Sequence, residues 1–402
     1  MRKVRPGNGF TVILMILILA LPQVAAAKPG KGGGGNPGGE DPGTYNGSTC
    51  INSSSTFPAF AYTKLIIGGR KGTSVTGYEI YVSNEDGDCS VLVYASSAAY
   101  EDYSDLSYRQ IGNDGVIAWR QYADETVSGG NNSLNDLIKV IRFEVIDQAV
   151  VTQLPLSADV VANSGDKYIG YPSIDLSRDG NTILFIHADS VTRAAEDVVV
   201  WTIREMDISN CSSNCDQSVL FSSSDIENLH NVSYGLGENR IYFSGGIHTN
   251  SGDDRASQGY IAFIEYVNGA WSTRRELTYQ GNGYYGTDYS GSSTFKDIST
   301  ALIDLGNGVP SEALSYTFFN VTSGQAEVHV IDVGSCSVSA SGDCLSSGES
   351  SLVAEINDAR FSSLGGNYMY FSSDSSDDIY RYDFGSSSLT SVALGNEVAS
   401  GD

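Results

Sequence analysis

Leu176-Ser177-Arg178-Asp179-Gly180-Asn181-Thr182-Ile183-Leu184-Phe185 is the stretch on which the fold turns. A short apolar segment ends at Leu176, an Asp-Gly pair follows, and a second apolar segment ends on an aromatic ring. Asp and Gly tolerate the positive φ that tight hairpin loops require, so the stretch reads as two antiparallel strands joined by a turn. Around it, helical periodicity is nearly absent. Short runs of Val, Ile, Tyr, Phe and Thr alternate with clusters of Gly, Asn, Asp and Ser, which is an all-β pattern.

The hairpin recurs. Ile111-Gly112-Asn113-Asp114-Gly115 precedes Val116–Trp119, and Asp114-Gly115 is expected to be its turn. Tyr234-Gly235-Leu236-Gly237-Glu238-Asn239 precedes Arg240–Phe243, and Phe361-Ser362-Ser363-Leu364-Gly365-Gly366 precedes Asn367–Phe371. The aromatic ends Trp119, Phe185, Phe243 and Phe371 are spaced by 66, 58 and 128 residues. The last gap is long enough for two units, and Ala313–Phe319 fills it behind Gly306-Asn307-Gly308. Phe60–Lys64 is a further copy upstream, which makes six. Each copy is followed by a third strand candidate: Tyr78–Val82, Ile138–Val145, Val198–Met206, Tyr260–Val267, Ala326–Val333 and Ile379–Phe384. Fourth strands are visible at Ser90–Tyr94, Trp271–Leu277 and Leu389–Leu394. Six units of about four strands predict a six-bladed β-propeller of four-stranded antiparallel blades.

These segments resemble the WD40-like (PD40-type) repeats of the TolB-type propeller family. A unit there carries an apolar strand, Ser-Pro-Asp-Gly, and a strand ending in an aromatic. The likeness is best at Ser177–Gly180, lacks the Pro in every copy, and covers Phe57 to Leu394. It implies the fold strongly and function weakly, since that family spans scaffolds, receptors and non-catalytic domains of peptidases. Its namesake carries an additional N-terminal domain where this chain has a Gly-rich stretch.

Residues 1–27 read as an export signal: Arg2, Lys3 and Arg5, then the apolar run Thr11–Leu21, then the small residues of Val24-Ala25-Ala26-Ala27. No Cys follows the small residues, so lipid attachment is not expected. Residues 28–48, nearly all Gly, Pro, Lys and small polar side chains, read as a flexible linker, and 49–402 as the propeller. Removing the signal leaves 20 basic residues against 48 acidic, a net charge of −28. That sign repels nucleic acid and anionic membrane surfaces. A periplasmic or secreted location is expected, with no membrane segment after cleavage.

Cys50, Cys89, Cys211, Cys215, Cys336 and Cys344 form an even set, which after export reads as disulfides. Six cysteines permit fifteen pairings. Chain locality favours Cys211–Cys215 and Cys336–Cys344, leaving Cys50–Cys89. Zinc at Cys211 and Cys215 would need a second Cys or His pair at matching spacing, and none occurs.

Antiparallel alternation sorts the connections onto two faces. With strands A to D counted outward from the axis, the D–A and B–C connections share an upper face, and the A–B and C–D turns share a lower one. The cysteines then fall on the lower side. Upper D–A connections carry Tyr100, Tyr103, Tyr168, Tyr171, Tyr279, Tyr284, Tyr285 and Tyr289. Tyr171, Tyr279, Tyr284, Tyr285 and Tyr289 are candidates for stacking on a sugar or gripping a peptide; packing of abundant tyrosines at blade seams is the other reading, and the favoured one. His187 and His248 are expected just after strand B of blades 3 and 4, and His230 at the start of strand A of blade 4. Three imidazoles near Asp189, Asp253 and Asp254 would suit a divalent metal, or serve as unrelated surface groups.

No Gly-x-Ser-x-Gly elbow, phosphate-cradling Gly loop or dinucleotide fingerprint occurs. Asn84-Glu85-Asp86-Gly87-Asp88 lacks the length and terminal Glu of a calcium-binding loop and reads as a turn. The expected function is a monomeric, cofactor-free scaffold that binds a protein or carbohydrate on the upper face. The alternative is a glycan-active lyase or hydrolase using a metal held by His187, His230 and His248. Because a ring of blades must meet its own ends, Glu397–Ser400 is expected to supply strand A of blade 1; the competing reading is that Ile51–Thr56 doubles back and supplies it.

Overall fold

Alternation along single strands sets the architecture. In Thr182–Arg193, Ile183 and Phe185 point to one side, where they join Val116, Ala118 and Leu176. Leu184 and Ile186 point to the other and join Leu229, Val232 and Phe243. A strand with a period of two and apolar residues on both faces must be covered on both faces. Each sheet is therefore sandwiched between two others, and six separate apolar cores result, one at each seam.

The computed structural model describes residues 56–401 except 69–73, 97–100, 124–134, 147–148, 155–159, 162–172, 194–195, 212–214, 225–226, 249–255, 280–294, 306–307, 321–324, 335–350, 357–358, 374–376 and 396. Residues 1–48, read above as signal and linker, lie outside them. The described strands form six antiparallel sheets, one per blade. From the axis outward, blade 2 holds Glu101–Ile111, Asp114–Ala123, Asn135–Ile146 and Ala149–Leu154, with Val160–Val161 also on its third strand. Blade 3 holds Ile174–Leu176, Thr182–Arg193, Glu196–Asp207 and Gln217–Ser222. Blade 4 begins with Glu227–Tyr234, Arg240–His248 and Ala256–Val267. Blade 5 holds Phe295–Ile303, Ser311–Asn320, Gln325–Asp332 and Ser351–Ile356. Blade 6 holds Ala359–Gly365, Tyr368–Ser373, Asp378–Asp383 and Ser388–Leu394. The fold is a six-bladed β-propeller.

Blade 1 is made from both ends of the ring. Glu397–Ser400 pairs antiparallel with Phe60–Gly68, Phe60 opposite Ser400 and Thr63 opposite Glu397, ahead of Ser74–Ser83 and Ser90–Ser96. The expected closure is the observed one. Val398 is buried against Phe60, Tyr370 and Ile379 at the seam with blade 6. Apolar burial of a short strand, rather than its length, holds it there.

Three expectations need correction. The turn of blade 2 is Gly112-Asn113, not Asp114-Gly115. Ile111 pairs directly with Asp114, and Gly112 alone has φ of +61°, as a two-residue loop with Gly first requires. Gly115 is glycine for another reason: a Cβ there would stand 2.2 Å from the Phe143 ring. Second, Trp271–Leu277 is not one strand. Ala270–Trp271 and Arg275–Tyr279 pair separately with Ala256–Val267; after the first, Ser272 N–H donates to the Glu265 carbonyl at 2.8 Å while the Ser272 hydroxyl, in place of a backbone carbonyl, accepts from the Glu265 N–H at 3.0 Å. Third, His187 does not follow strand B of blade 3. It lies within it, opposite Thr202.

The quoted hairpin is as read. Gly180 has φ of +65° and its N–H reaches the Ser177 carbonyl at 2.9 Å. The Ser177 hydroxyl donates to Asp179 Oδ1 at 2.6 Å, and Asn181 N–H donates to the same oxygen. The Ser177 hydroxyl, first, and the Asn181 donors hold the Asp179 carboxyl below its ordinary value. Asn84–Cys89 is likewise a turn, with Gly87 at φ +70° and Asn84 Nδ2 on Asp88 Oδ1 at 2.5 Å.

Candidate functional site

Strand A of every blade pairs with strand B on one side only; the other edge faces the axis. Such an edge leaves backbone N–H groups that need acceptors. The sequence places a small side chain at one equivalent position of the inner strands: Ser107, Asp175, Ser233, Ser299, Ser363 and Ala399. Four of these accept the N–H of the next blade's inner strand. Leu176 donates to Ser107 Oγ at 3.0 Å, and Tyr234 to Asp175 Oδ2 at 2.9 Å. Leu364 donates to Ser299 Oγ at 3.1 Å, and Ser400 to Ser363 Oγ at 2.9 Å. The remaining two seams are linked differently. Thr300 Oγ1 donates to the Tyr234 carbonyl, and Gln110 N–H to the Gly401 carbonyl at 2.9 Å, beside the position where Ala399 has no acceptor to offer.

Asp175 is the hub of this belt. Its Oδ1 accepts from Ser107 Oγ at 3.0 Å and from Arg109 Nη2 at 2.9 Å. Its Oδ2 accepts from Ser233 Oγ at 3.1 Å and from Tyr234 N–H. One carboxylate therefore ties blades 2, 3 and 4 together. Four donors saturate its two oxygens, so it presents no lone pair to a substrate as a general base. The cavity along the axis measures about 60 Å³, room for a few waters and not for a sugar ring. The tyrosines packed around the belt are neutral donors. Burial raises the Tyr108 phenol, and burial followed by the Glu205 carboxylate raises that of Tyr234, whose hydroxyl donates to Glu205 at 2.8 Å.

Most predicted site residues fall elsewhere. Tyr171, Tyr284, Tyr285 and Tyr289 lie outside the described residues. Tyr279 ends strand D of blade 4 opposite Tyr260, and its side chain is outside the described part. Tyr78, Tyr108, Tyr242, Tyr260 and Tyr370 are fully buried, so seam packing accounts for those five. His230 is buried at an irregularity of strand A of blade 4, and His248 ends strand B, its side chain again outside the described part. Among the described residues no group of three His, Cys, Asp or Glu could hold a metal ion. Cys211 and Cys215 are disulfide-bonded across the lower C–D connection of blade 3. Cys89 is also disulfide-bonded, and no free cysteine occurs among the described residues; Cys50, Cys336 and Cys344 lie outside them. No described helix is long and apolar enough to cross a membrane.

The polar belt escaped the sequence reading, although a signal was present. Leu106-Ser107-Tyr108, Ile174-Asp175-Leu176 and Val232-Ser233-Tyr234 repeat a small polar residue between bulky ones just before each A–B turn.

No protein-family model and no curated protein matches the sequence. Solved structures do. A chain of a nidogen–laminin complex is 10% identical, with a TM-score of 0.48, covering 86% of this chain and 98% of its own. An oligogalacturonate lyase in complex with manganese is 8% identical at a TM-score of 0.41, covering 87% and 84%. A putative TolB from Agrobacterium tumefaciens is 10% identical at 0.40, covering 83% and 87%. Each is a likeness of fold alone.

Proposed function

We propose that this chain is an exported, non-catalytic β-propeller of the TolB-like repeat type that binds a protein or a glycan through the loops of its upper face, in the cell envelope or outside the cell. The observation that carries this reading is the narrowness of the axis, whose cavity measures about 60 Å³. The Asp175 hub is saturated, Asp297 on the same cavity accepts from Thr317 Oγ1 at 2.6 Å, the space admits only water, and a ligand must therefore meet the outer faces. Export is supported by the basic–apolar–small N-terminus and by the Cys211–Cys215 disulfide, a bond at home in an oxidising compartment. The proposed partners for the rest are Cys50–Cys89 and Cys336–Cys344. Tyr171, Tyr279, Tyr284, Tyr285 and Tyr289 supply flat amphipathic contact surface at the mouth.

The test is binding of the purified full chain to an array of oligosaccharides and to envelope proteins from the same source, repeated with Tyr279, Tyr284, Tyr285 and Tyr289 changed to Ala. The tyrosine variant should lose binding at an unchanged Tm. Unchanged binding would refute the upper-face assignment. Turnover of an oligosaccharide that appears with added divalent metal and vanishes in His187→Ala would replace the scaffold by the lyase or hydrolase alternative.

A further inference from the structure

The lower end of the axis opens into a second cavity, of about 690 Å³. That is the size range of sites for drug-sized ligands, and it lies on the face opposite the upper loops. Turns and strand ends from five blades line it. Arg178 comes from the A–B turn of blade 3, Glu85 from the C–D turn of blade 1, and Tyr368 and Asn367 from the A–B turn region of blade 6. Gln110 and Leu302 complete the lining from the inner strands of blades 2 and 5.

Two opposite charges in this cavity are uncommitted. Arg178 is exposed, and its backbone N–H rather than its guanidinium bonds to Glu238. Glu85 is half-buried. Its backbone carbonyl is bonded by Arg381 and its N–H by the Thr56 carbonyl. Neither its carboxylate nor the Arg178 guanidinium has a hydrogen-bond or ion-pair partner among the described residues. The other cation nearby is spoken for: Arg381 pairs with Asp86 at 2.9 Å and lies 4.8 Å over the Tyr368 ring. Glu85 and Tyr368 line the cavity together, and burial, then the Glu85 carboxylate, raises the Tyr368 phenol.

Blades 1 and 3 are not neighbours, so the two charges stand on separated parts of one rim. A ligand that satisfies both must carry an ammonium and a carboxylate at opposite ends, with a body that is polar and modestly apolar. We infer that the lower mouth binds a short oligopeptide with free amino and carboxyl termini. Glu85 takes the ammonium, Arg178 the carboxylate, Asn367 the intervening amides, and Leu302, 54% exposed in the empty mouth, a side chain. This does not rest on the upper-face reading, and either stands without the other.

Trialanine is the probe, measured by calorimetry on the full chain. It should bind, and Glu85→Gln and Arg178→Gln should each weaken it by about tenfold or more, the loss of one charge-assisted hydrogen bond. Neither variant should change Tm, because neither side chain bonds another of the described residues. N-acetyl-trialanine should lose its sensitivity to Glu85→Gln, and trialanine amide its sensitivity to Arg178→Gln. No binding at about 10 mM peptide, binding by either variant as tight as that of the unaltered chain, or binding of the doubly capped peptide as tight as that of trialanine would each overturn the inference. Free alanine binding as tightly as trialanine would overturn the choice of an oligopeptide.

Discussion

Replacing Asp175 tests whether the polar belt holds the ring. In Asp175→Ala the Tyr234 N–H loses its acceptor in a buried site, which costs about 1–3 kcal/mol. Arg109 loses its carboxylate where its side chain is only 13% exposed; breaking such a pair costs about 3–5 kcal/mol when fully buried. Arg109 keeps its bond to the Tyr108 carbonyl at 3.0 Å and some access to water, so the lower part of that range applies. The two losses share one site and do not simply add, which gives about 3–6 kcal/mol in all. Asp175→Asn keeps an oxygen for the Tyr234 N–H while its amide turns toward Ser107, whose hydroxyl can accept. That variant should lose about 1–3 kcal/mol, mainly from the unpaired guanidinium. Equilibrium unfolding in urea, followed by tryptophan fluorescence, reads both from the midpoint at unchanged slope. The order wild type, Asn, Ala is the expected result. If Asn and Ala are equally destabilised, or if Ala falls within about 0.5 kcal/mol of wild type, as surface substitutions do, the hub reasoning is wrong.

Two further substitutions separate backbone from packing and test closure. Gly112 and Gly180 have nearly equal φ, +61° and +65°, but a Cβ at Gly112 meets nothing while one at Gly180 meets Ile111 Cδ1 at 2.7 Å and Val116 Cγ2 at 2.9 Å. Gly112→Ala should therefore cost about 1 kcal/mol and Gly180→Ala clearly more; equal costs in thermal melts would count against the packing. Deleting Asn396–Asp402 removes strand A of blade 1, buried Val398 and the Ser400 link to Ser363, and should lower Tm by several degrees and open Phe60–Gly68 to protease. A truncated chain as stable and as protease-resistant as the full one would show that the ring does not depend on this strand.

Strands B and C were legible because their apolar runs are long and their turns carry Gly with Asp or Asn; strand D was read in three blades only, and in blade 4 as one run where Ala270–Trp271 and Arg275–Tyr279 pair separately. The register of those turns was less so. Asp114-Gly115 has the composition of a hairpin loop, yet Gly115 is there to clear the Phe143 ring, and only a three-dimensional neighbour reveals that. Inner strands were harder. Ile174–Leu176 is only three residues long, and its hydrogen bonds come partly from the preceding blade, so local propensity carries little of it. Closure was legible from topology only as far as a choice: an edge had to be filled, and Glu397–Ser400 and Ile51–Thr56 could each have filled it until the pairing of Glu397–Ser400 with Phe60–Gly68 decided between them. The tyrosine-rich loops and the histidine set were chosen by residue type and by the face their connections share, and neither says where a side chain points.

Phe60 and Ser400 stand side by side at the lower end of blade 1, so the chain enters and leaves the ring at the same end of one antiparallel pair. Tension between those two points would part the strands rung by rung, with the Gly401 contacts to Ala59 and Gln110 first to yield. Tugged from opposite ends, the same pair would share the load across all its rungs at once. The blade that completes the circle is thus also its zip, and it lies where a pull on the flanking segments would be felt.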